Sequence, residues 1–191
     1  FANAKAVDGL LDTCVAKSLP CVLCTTGLSE EQLAHVKEAS GKVAILRSAN
    51  MSMGINVLSE LCKRASAILG ANYDIEIVEQ HHHNKLDAPS GTAIALADVM
   101  NQAAGGDYEY VYDRSTRREK RPEKEIGISA VRGGTIVGDH DVIFAGQDEV
   151  ITFSHMAYSR KLFATGAVSA AKFLAGKPAG MYDMSRVIEG K

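Results

Sequence analysis

The chain has 191 residues, 46% of them hydrophobic and 23% charged, with Lys+Arg 21 against Asp+Glu 23 and a formal net charge of -2. This composition excludes a disordered or fibrous chain. The near-balanced charge supplies no global field for nucleic acid or an anionic membrane, so an anionic ligand has to be held by a local cluster.

No apolar run approaches the roughly 18 to 20 residues of a membrane helix, and Phe1-Ala2-Asn3-Ala4-Lys5 lacks the pattern of a secretion signal, so the chain reads as soluble and untargeted. The pattern predicts a helix over 2–16, a strand over 20–24, a helix over 30–40 behind Ser29, and a strand over 43–47. This is the grammar of a parallel α/β domain. It opens with a helix already under way, and nothing in it reads G-x-G-x-x-G, the turn that cradles a dinucleotide. Cys14, Cys21, Cys24 and Cys62 all fall in the first third of the chain, which suits structural thiols in a reducing compartment. Cys21-Val22-Leu23-Cys24 spells C-x-x-C, but on a strand positions i and i+3 point to opposite faces, a poor geometry for sharing one metal. Thr25-Thr26-Gly27 and Ala49-Asn50-Met51 follow the two strands, where ligands bind in open α/β sheets, although turn chemistry alone explains such residues.

Further along, a helix is predicted over 54–69 with a core stripe of Ile55, Leu58, Leu61, Cys62, Ala65 and Leu69, followed by an alternating strand over 74–80. Ser90 or Thr92 caps the next helix, whose stripe is Ala93, Leu96, Ala97, Met100 and Ala104 and which Gly105-Gly106 stops. The mixed charges and the proline of 114–124 predict a solvated loop. Strands over 125–132, 135–145 and 149–157, broken by Gly133-Gly134 and Gly146-Gln147-Asp148, predict hairpins, so that three consecutive antiparallel strands join 74–80 in one open sheet. A last helix over 160–175 ends at Gly176-Lys177-Pro178, with a short tail behind it.

The densest chemistry is His81-His82-His83-Asn84-Lys85-Leu86-Asp87-Ala88-Pro89-Ser90-Gly91-Thr92. One reading is an exposed loop that is rich in histidine. A second is a metal site, in which only His81 and His83 could converge on an extended chain, with Asp87 the sole nearby carboxylate. A third is acid–base chemistry on a small substrate with one or more carboxylates. An imidazole can protonate a developing carbanion or enamine carbon at neutral pH, and Lys85 adds fixed positive charge. The N–H groups of Gly91 and Thr92 open a helix, where a carboxylate is favoured.

The stretch His81-His82-x-x-Lys85-x-Asp87-Ala88-Pro89-Ser90-Gly91-Thr92-Ala93 resembles the signature of the dihydrodipicolinate reductase family of the diaminopimelate route to lysine. Thr25-Thr26-Gly27-Leu28, 49–56, 132–140 and 180–184 resemble other blocks of that family, so the likeness covers nearly the whole chain. The resemblance implies NADH or NADPH as cofactor and reduction of a cyclic imine dicarboxylate, with hydride going to one ring carbon and a proton to its neighbour. It implies His81 as general acid and Lys85 as second proton donor or electrostatic stabiliser, with His82, Gly91 and Thr92 binding the substrate carboxylates. Cys24, Thr25 and Thr26, together with Ser48, Ala49, Asn50 and Met51, would line the nicotinamide, and Arg160 is a further candidate for a cofactor contact. Cys24 stands where the family has the first glycine of G-T-T-G, and Met51 where it has Phe. The family's first strand, phosphate loop and ribose-reading acid are not in the sequence, so a fragment that binds cofactor poorly or not at all, and is inactive by itself, is expected.

The fold expected is therefore α/β: a remnant of a Rossmann-type parallel domain, 1–50 with 160–191, and an α+β substrate and oligomerisation domain with a mixed sheet, 51–159. The resemblance implies a homotetramer, in the cytoplasm if bacterial and in the plastid if from a plant; no metal is expected, and the charge and hydropathy predict no nucleic-acid or membrane partner. The rivals are a non-catalytic dicarboxylate-binding or oligomerisation module and a histidine-rich metal protein.

Overall fold

The computed structural model describes residues 3–190; Phe1, Lys191 and Ala2, with which the first predicted helix opens, lie outside the described residues. The chain divides into two units, Phe1–Asn56 with Lys161–Lys191, and Val57–Arg160.

In the first unit a 3-10 turn, Ala4–Ala6, leads into α1, Val7–Ala16, which buries Val7, Leu11 and Cys14 at helical spacing. β1 is Cys21–Leu23, α2 is Glu30–Ser40 and β2 is Ala44–Arg47. Ser29 and Gln32 form a reciprocal capping box that starts α2. Two elements that the sequence pattern does not announce sit in the tail behind α5, Lys161–Leu174: a three-residue strand β8, Gly180–Tyr182, and α6, Met184–Glu189, capped by Asp183. β8 is too short to show a period; its partner β2 recruits it, giving a parallel sheet of order β1-β2-β8. Alternate residues of these strands feed two cores. Cys21, Leu23 and Ile45 pack with Val7, Leu11 and Val36 of α1 and α2, whereas Val22, Cys24, Ala44 and Leu46 pack with Ala170, Leu174 and Met184 of α5 and α6. Both faces of the sheet are covered, as a parallel sheet requires. Cys21 and Cys24 accordingly lie in different cores, and burial pushes the Cys21 thiol up to about 12.

In the second unit the part of α3, Met53–Leu69, from Val57 onward and α4, Gly91–Ala103, pack on a five-stranded sheet of order β4-β5-β3-β6-β7. Its strands are β3, Asp74–His81, β4, Glu109–Val111, β5, Glu125–Arg132, β6, Gly138–Ala145, and β7, Val150–Ala157. Leu58 and Cys62 of α3 and Leu96, Ala97 and Met100 of α4 meet Ile75, Ile77, Ile126, Ile128, Val142 and Phe144 of the sheet. Leu61, expected in that stripe, is 48% exposed. One position before Cys62, it is turned about 100° away on the helix.

The sheet corrects the expected topology. β5 runs parallel to β3, with Ile75 beside Ile126, and β6 lies antiparallel on the other side of β3. Gly133-Gly134 is therefore not a hairpin turn but the start of a crossover, and Thr135, Ile136 and Val137 precede β6 rather than belong to it. Alternation reports which face a residue occupies and says nothing of the neighbour or its direction. The β6–β7 hairpin around Gly146-Gln147-Asp148 forms as expected.

The loop 114–124 is also not merely solvated. Arg114 pairs with Glu76 at 2.8 Å and with Glu125, Arg117 reaches Glu125 at 3.3 Å, and Arg121 bonds Asp74 at 2.6 Å and Glu76 at 3.1 Å. Glu125 is fully buried, and a buried carboxylate needs such partners.

Candidate active site

The core-facing residues of β3 read Ile75, Ile77, Glu79 and His81, so the apolar face of the strand turns polar at its carboxyl end. Glu79 is fully buried and gathers four donors. His81 Nδ1 lies 2.6 Å from Oε2, the Ser90 N–H 2.9 Å from Oε1, and Arg132 closes a bidentate pair at 2.8 and 2.7 Å. Burial by itself would raise the Glu79 carboxyl, but the Arg132, His81 and Ser90 hydrogen bonds outweigh it and hold the group below its ordinary value. Arg132 also donates to the carbonyl of Asp87 at 2.7 Å, which ties the loop before α4 to the sheet.

His140, on β6, presents an edge to the His81 ring at 5.2 Å between centroids. Ser90 Oγ accepts from Ala93 N at 3.1 Å as N-cap, and shares a hydrogen bond with His140 Nε2 at 3.1 Å. Burial, with His81 as a smaller cause, pushes His140 down to about 4. Gly138, two residues earlier on β6, lies under the other nitrogen of His81: a Cβ there would stand 2.9 Å from Nε2.

Lys85 Nζ lies 2.8 Å from the Asp87 carboxylate, which also accepts the backbone N–H of Gly91. Lys85 first, and to a smaller extent the backbone N–H groups of Asp87 and Gly91, hold the Asp87 carboxyl below its ordinary value. Thr92 follows as the second residue of α4. Lys85, Gly91 and Thr92 are thus gathered around one end of α4. His82 points elsewhere. Arg160 Nη2 donates to its Nε2 at 3.1 Å, and burial first, then the Arg160 charge, lower its tendency to be protonated. His82 and Arg160 line a cavity of about 520 Å³ with His83, Gly134, Tyr158 and others, and His81 is not part of that lining. The pair of histidines that shares a cavity is therefore His82 and His83, not His81 and His83, because the strand ends at His81 and a turn at His83 breaks the alternation. Among the described residues no group of three or more His, Cys, Asp or Glu is arranged to hold a metal.

In the first unit Cys24, Thr25 and Thr26 follow β1, and Ser48, Ala49, Asn50 and Met51 follow β2. Thr25 is buried and Thr26 and Ala49 exposed. Asn56 Nδ2 donates to the Asn50 carbonyl at 2.8 Å, and Asn50 Oδ1 accepts from Ser52 N at 2.8 Å, which fixes the loop. The Met51 side chain is in the core, and its carbonyl lies so close to α5 that a Cβ at Gly166 would come within 1.7 Å of it.

Glu79, Arg132, His140 and Gly138 carry no role in the reading from sequence. Glu79 left a signal there as a carboxylate in phase with Ile75 and Ile77 on the buried face of a strand, and Arg132, Gly138 and His140 fall in the block 132–140 that resembles the family.

Two family models match, described as dihydrodipicolinate reductase, N-terminus, over residues 1–51, and dihydrodipicolinate reductase, C-terminus, over residues 54–188. A protein of Caldanaerobacter subterraneus subsp. tengcongensis named 4-hydroxy-tetrahydrodipicolinate reductase is 54% identical over 189 residues, covering 99% of this chain and 75% of that protein. Its namesake in Clostridium tetani is 50% identical over 184 residues, covering 96% and 72%. Among solved structures, the dipicolinate-bound dihydrodipicolinate reductase of Paenisporosarcina sp. TG-14 superposes with a TM-score of 0.77 at 23% identity, covering 96% of this chain and 69% of that one, a likeness of fold. With family models on both units and relatives half identical along almost its whole length, the chain belongs to the dihydrodipicolinate reductase family.

Proposed function

We propose that this chain belongs to an enzyme that carries out the reaction for which its relatives are named, reduction of 4-hydroxy-tetrahydrodipicolinate or dihydrodipicolinate to tetrahydrodipicolinate in the diaminopimelate route to lysine, with NADH or NADPH. The observation that carries this reading is the Asp87 carboxylate seated on Lys85 and on the Gly91 N–H. An ammonium and a helix-opening amide that jointly hold one carboxylate are the donors that a dicarboxylate substrate requires.

His81 is the general acid, and Lys85 a second proton donor or the electrostatic stabiliser of the substrate. His82, Gly91 and Thr92 bind the substrate carboxylates, Gly91 once Asp87 has yielded its place. The unit built on β3 to β7 is the substrate and oligomerisation domain; the unit built on β1, β2 and β8 belongs to the cofactor. The cofactor, when bound, supplies the hydride. The carboxyl ends of β1 and β2, two adjacent parallel strands whose following residues Thr26 and Ala49 are short and exposed, would admit its flat ring. Cys24, Thr25, Thr26, Ser48, Ala49 and Asn50 line that place, and Met51, anchored in the core, supports the loop from beneath. The assembly is a homotetramer, for which the exposed apolar side chains of the edge strand β7 provide a surface. The four unpaired thiols suit the cytoplasm.

Calorimetric titration with pyridine-2,6-dicarboxylate in excess EDTA, beside a His82→Ala, Thr92→Ala double variant, tests the site. Binding by the parent that the variant loses supports it. Equal binding by both removes these residues from the substrate site; none by either means that this chain alone does not form the pocket or that the assignment of these residues is wrong. Titration of NADH and NADPH against the same protein tests the cofactor assignment and gives the preference between the two.

A further inference from the structure

We propose that Glu79 is the positioning residue of the proton donor. Its carboxylate fixes His81 with a proton on Nδ1, sets that ring in register with the start of α4, and leaves Nε2 as the nitrogen that exchanges a proton with the substrate. The proposal rests on the reading of His81 as general acid.

An ionised carboxylate offers about four acceptor positions and no donor. All four of Glu79 are taken, by His81 Nδ1 and Arg132 Nη1 on Oε2, and by Ser90 N and Arg132 Nη2 on Oε1. The bond at 2.6 Å therefore requires the hydrogen to be on Nδ1. A buried ion pair contributes little net stability compared with apolar packing of the same volume, so this arrangement is explained better by what it orients. The same carboxylate holds the Ser90 N–H, and Ser90 is the N-cap of the helix that opens with Gly91 and Thr92. One side chain thus sets the distance between the imidazole and the amides proposed to hold the substrate.

Gly138 completes the device from β6. A methyl group there would press on Nε2 at 2.9 Å, against a ring that Glu79 prevents from moving aside. In the transfer, the N–H bond at Nε2 breaks and a C–H bond forms at the ring carbon beside the one that accepts hydride. The imidazolium becomes a neutral ring that still carries its Nδ1 proton. His140 does not compete for that proton, since its Nε2 is occupied by Ser90 and burial holds the ring neutral.

The charged and titratable groups around His81 are Glu79 on β3, Arg132 on β5 behind Glu79, His140 on β6 with His155 beside it on β7, and from the following loop His82 and the Lys85–Asp87 pair. Among the described residues, Glu79 is the carboxylate bonded to the ring itself. Replacing it by glutamine leaves the positive groups unopposed, and replacing Arg132 by glutamine leaves Glu79 unopposed. The two variants should shift proton transfer in opposite directions, which a merely structural role for the pair would not do.

The first measurement is the tautomer of His81 in the unmodified chain, by two-bond 1H–15N correlation with the signal assigned through His81→Gln. A neutral ring protonated on Nδ1 is expected; protonation on Nε2, or a mixture, overturns the proposal whether or not any variant folds. The second is the pH profile of kcat. In Glu79→Gln the alkaline limb should move to lower pH, with kcat on that limb falling about tenfold for each pH unit moved, while KM changes little. In Arg132→Gln it should move to higher pH. Limbs that stay in place or move together in both variants overturn the proposal. If His81→Gln retains the limb, the reading of His81 as general acid fails, and the tautomer result still decides whether Glu79 orients the ring.

Discussion

His140 shows what a single buried ring does to the pH dependence of the fold. Burial holds it neutral, with its folded value pushed down to about 4 against 6.5 in the unfolded chain. Below pH 6.5 the unfolded state binds a proton that the folded state refuses, so the contribution of His140 is fully present above pH 6.5. It is lost progressively as pH falls towards 4. The full loss is about 3 kcal/mol by linkage. Replacing His140 by glutamine, which does not titrate, should flatten the dependence, and urea midpoints of parent and variant at pH 7 and pH 5 measure this. Equal slopes in the two proteins would mean that the ring is protonated inside the fold. The same position also shows why sequence is a poor guide to such residues. His140 alternates with Val142 and Phe144 on the buried face of β6, but the hydrogen-bond partner of its ring is Ser90, fifty residues earlier in the chain.

Between β4 and β5, a loop whose composition suggests only solvation works as a set of ion pairs. Arg114 and Arg117 converge on Glu125, whose carboxylate is fully buried at the first position of β5. Removing the cations while leaving that carboxylate in place strands a charge away from water, which typically costs about 3–5 kcal/mol. An Arg114→Met, Arg117→Met variant should therefore unfold at markedly lower urea concentration. Adding Glu125→Met should restore most of the loss, since an apolar trio of similar volume needs no solvation. If the triple variant is as unstable as the double one, the loss comes from the loop's packing rather than from the stranded charge. Charge patterning in the sequence identified the arginines as polar and exposed in kind; only β5 brings them a buried partner.

At the scale of the molecule, one unit has its parallel sheet covered on both faces, and the other has helices on one face of a mixed sheet. β7 is the edge of that mixed sheet and leaves Val150 62% and Met156 58% exposed. An uncovered apolar edge favours association, and lysine side chains placed on it oppose it. Light scattering should give the mass of four copies for the parent and a smaller assembly for a Val150→Lys, Met156→Lys variant. A parent of one or two copies, or a variant unchanged in mass, removes β7 from the interface.

Periodicity in the sequence determined the type of nearly every long element and the face it buries, because both follow from local geometry. The stripes on α1, α3 and α4 and the alternation of β3, β6 and β7 are of this kind. The motif from His81 to Thr92 likewise identified the residues on which the chemistry is proposed. Tertiary structure alone decided which strands are neighbours and in which direction they run, so β5 became parallel to β3 and a three-residue tail segment became β8. It also decided the surroundings of Glu79, whose donors come from positions 2, 11 and 53 residues away in sequence. Faces are set by bonds between adjacent residues, whereas strand partners and the saturation of a buried carboxylate depend on groups that only the folded chain brings within hydrogen-bonding distance.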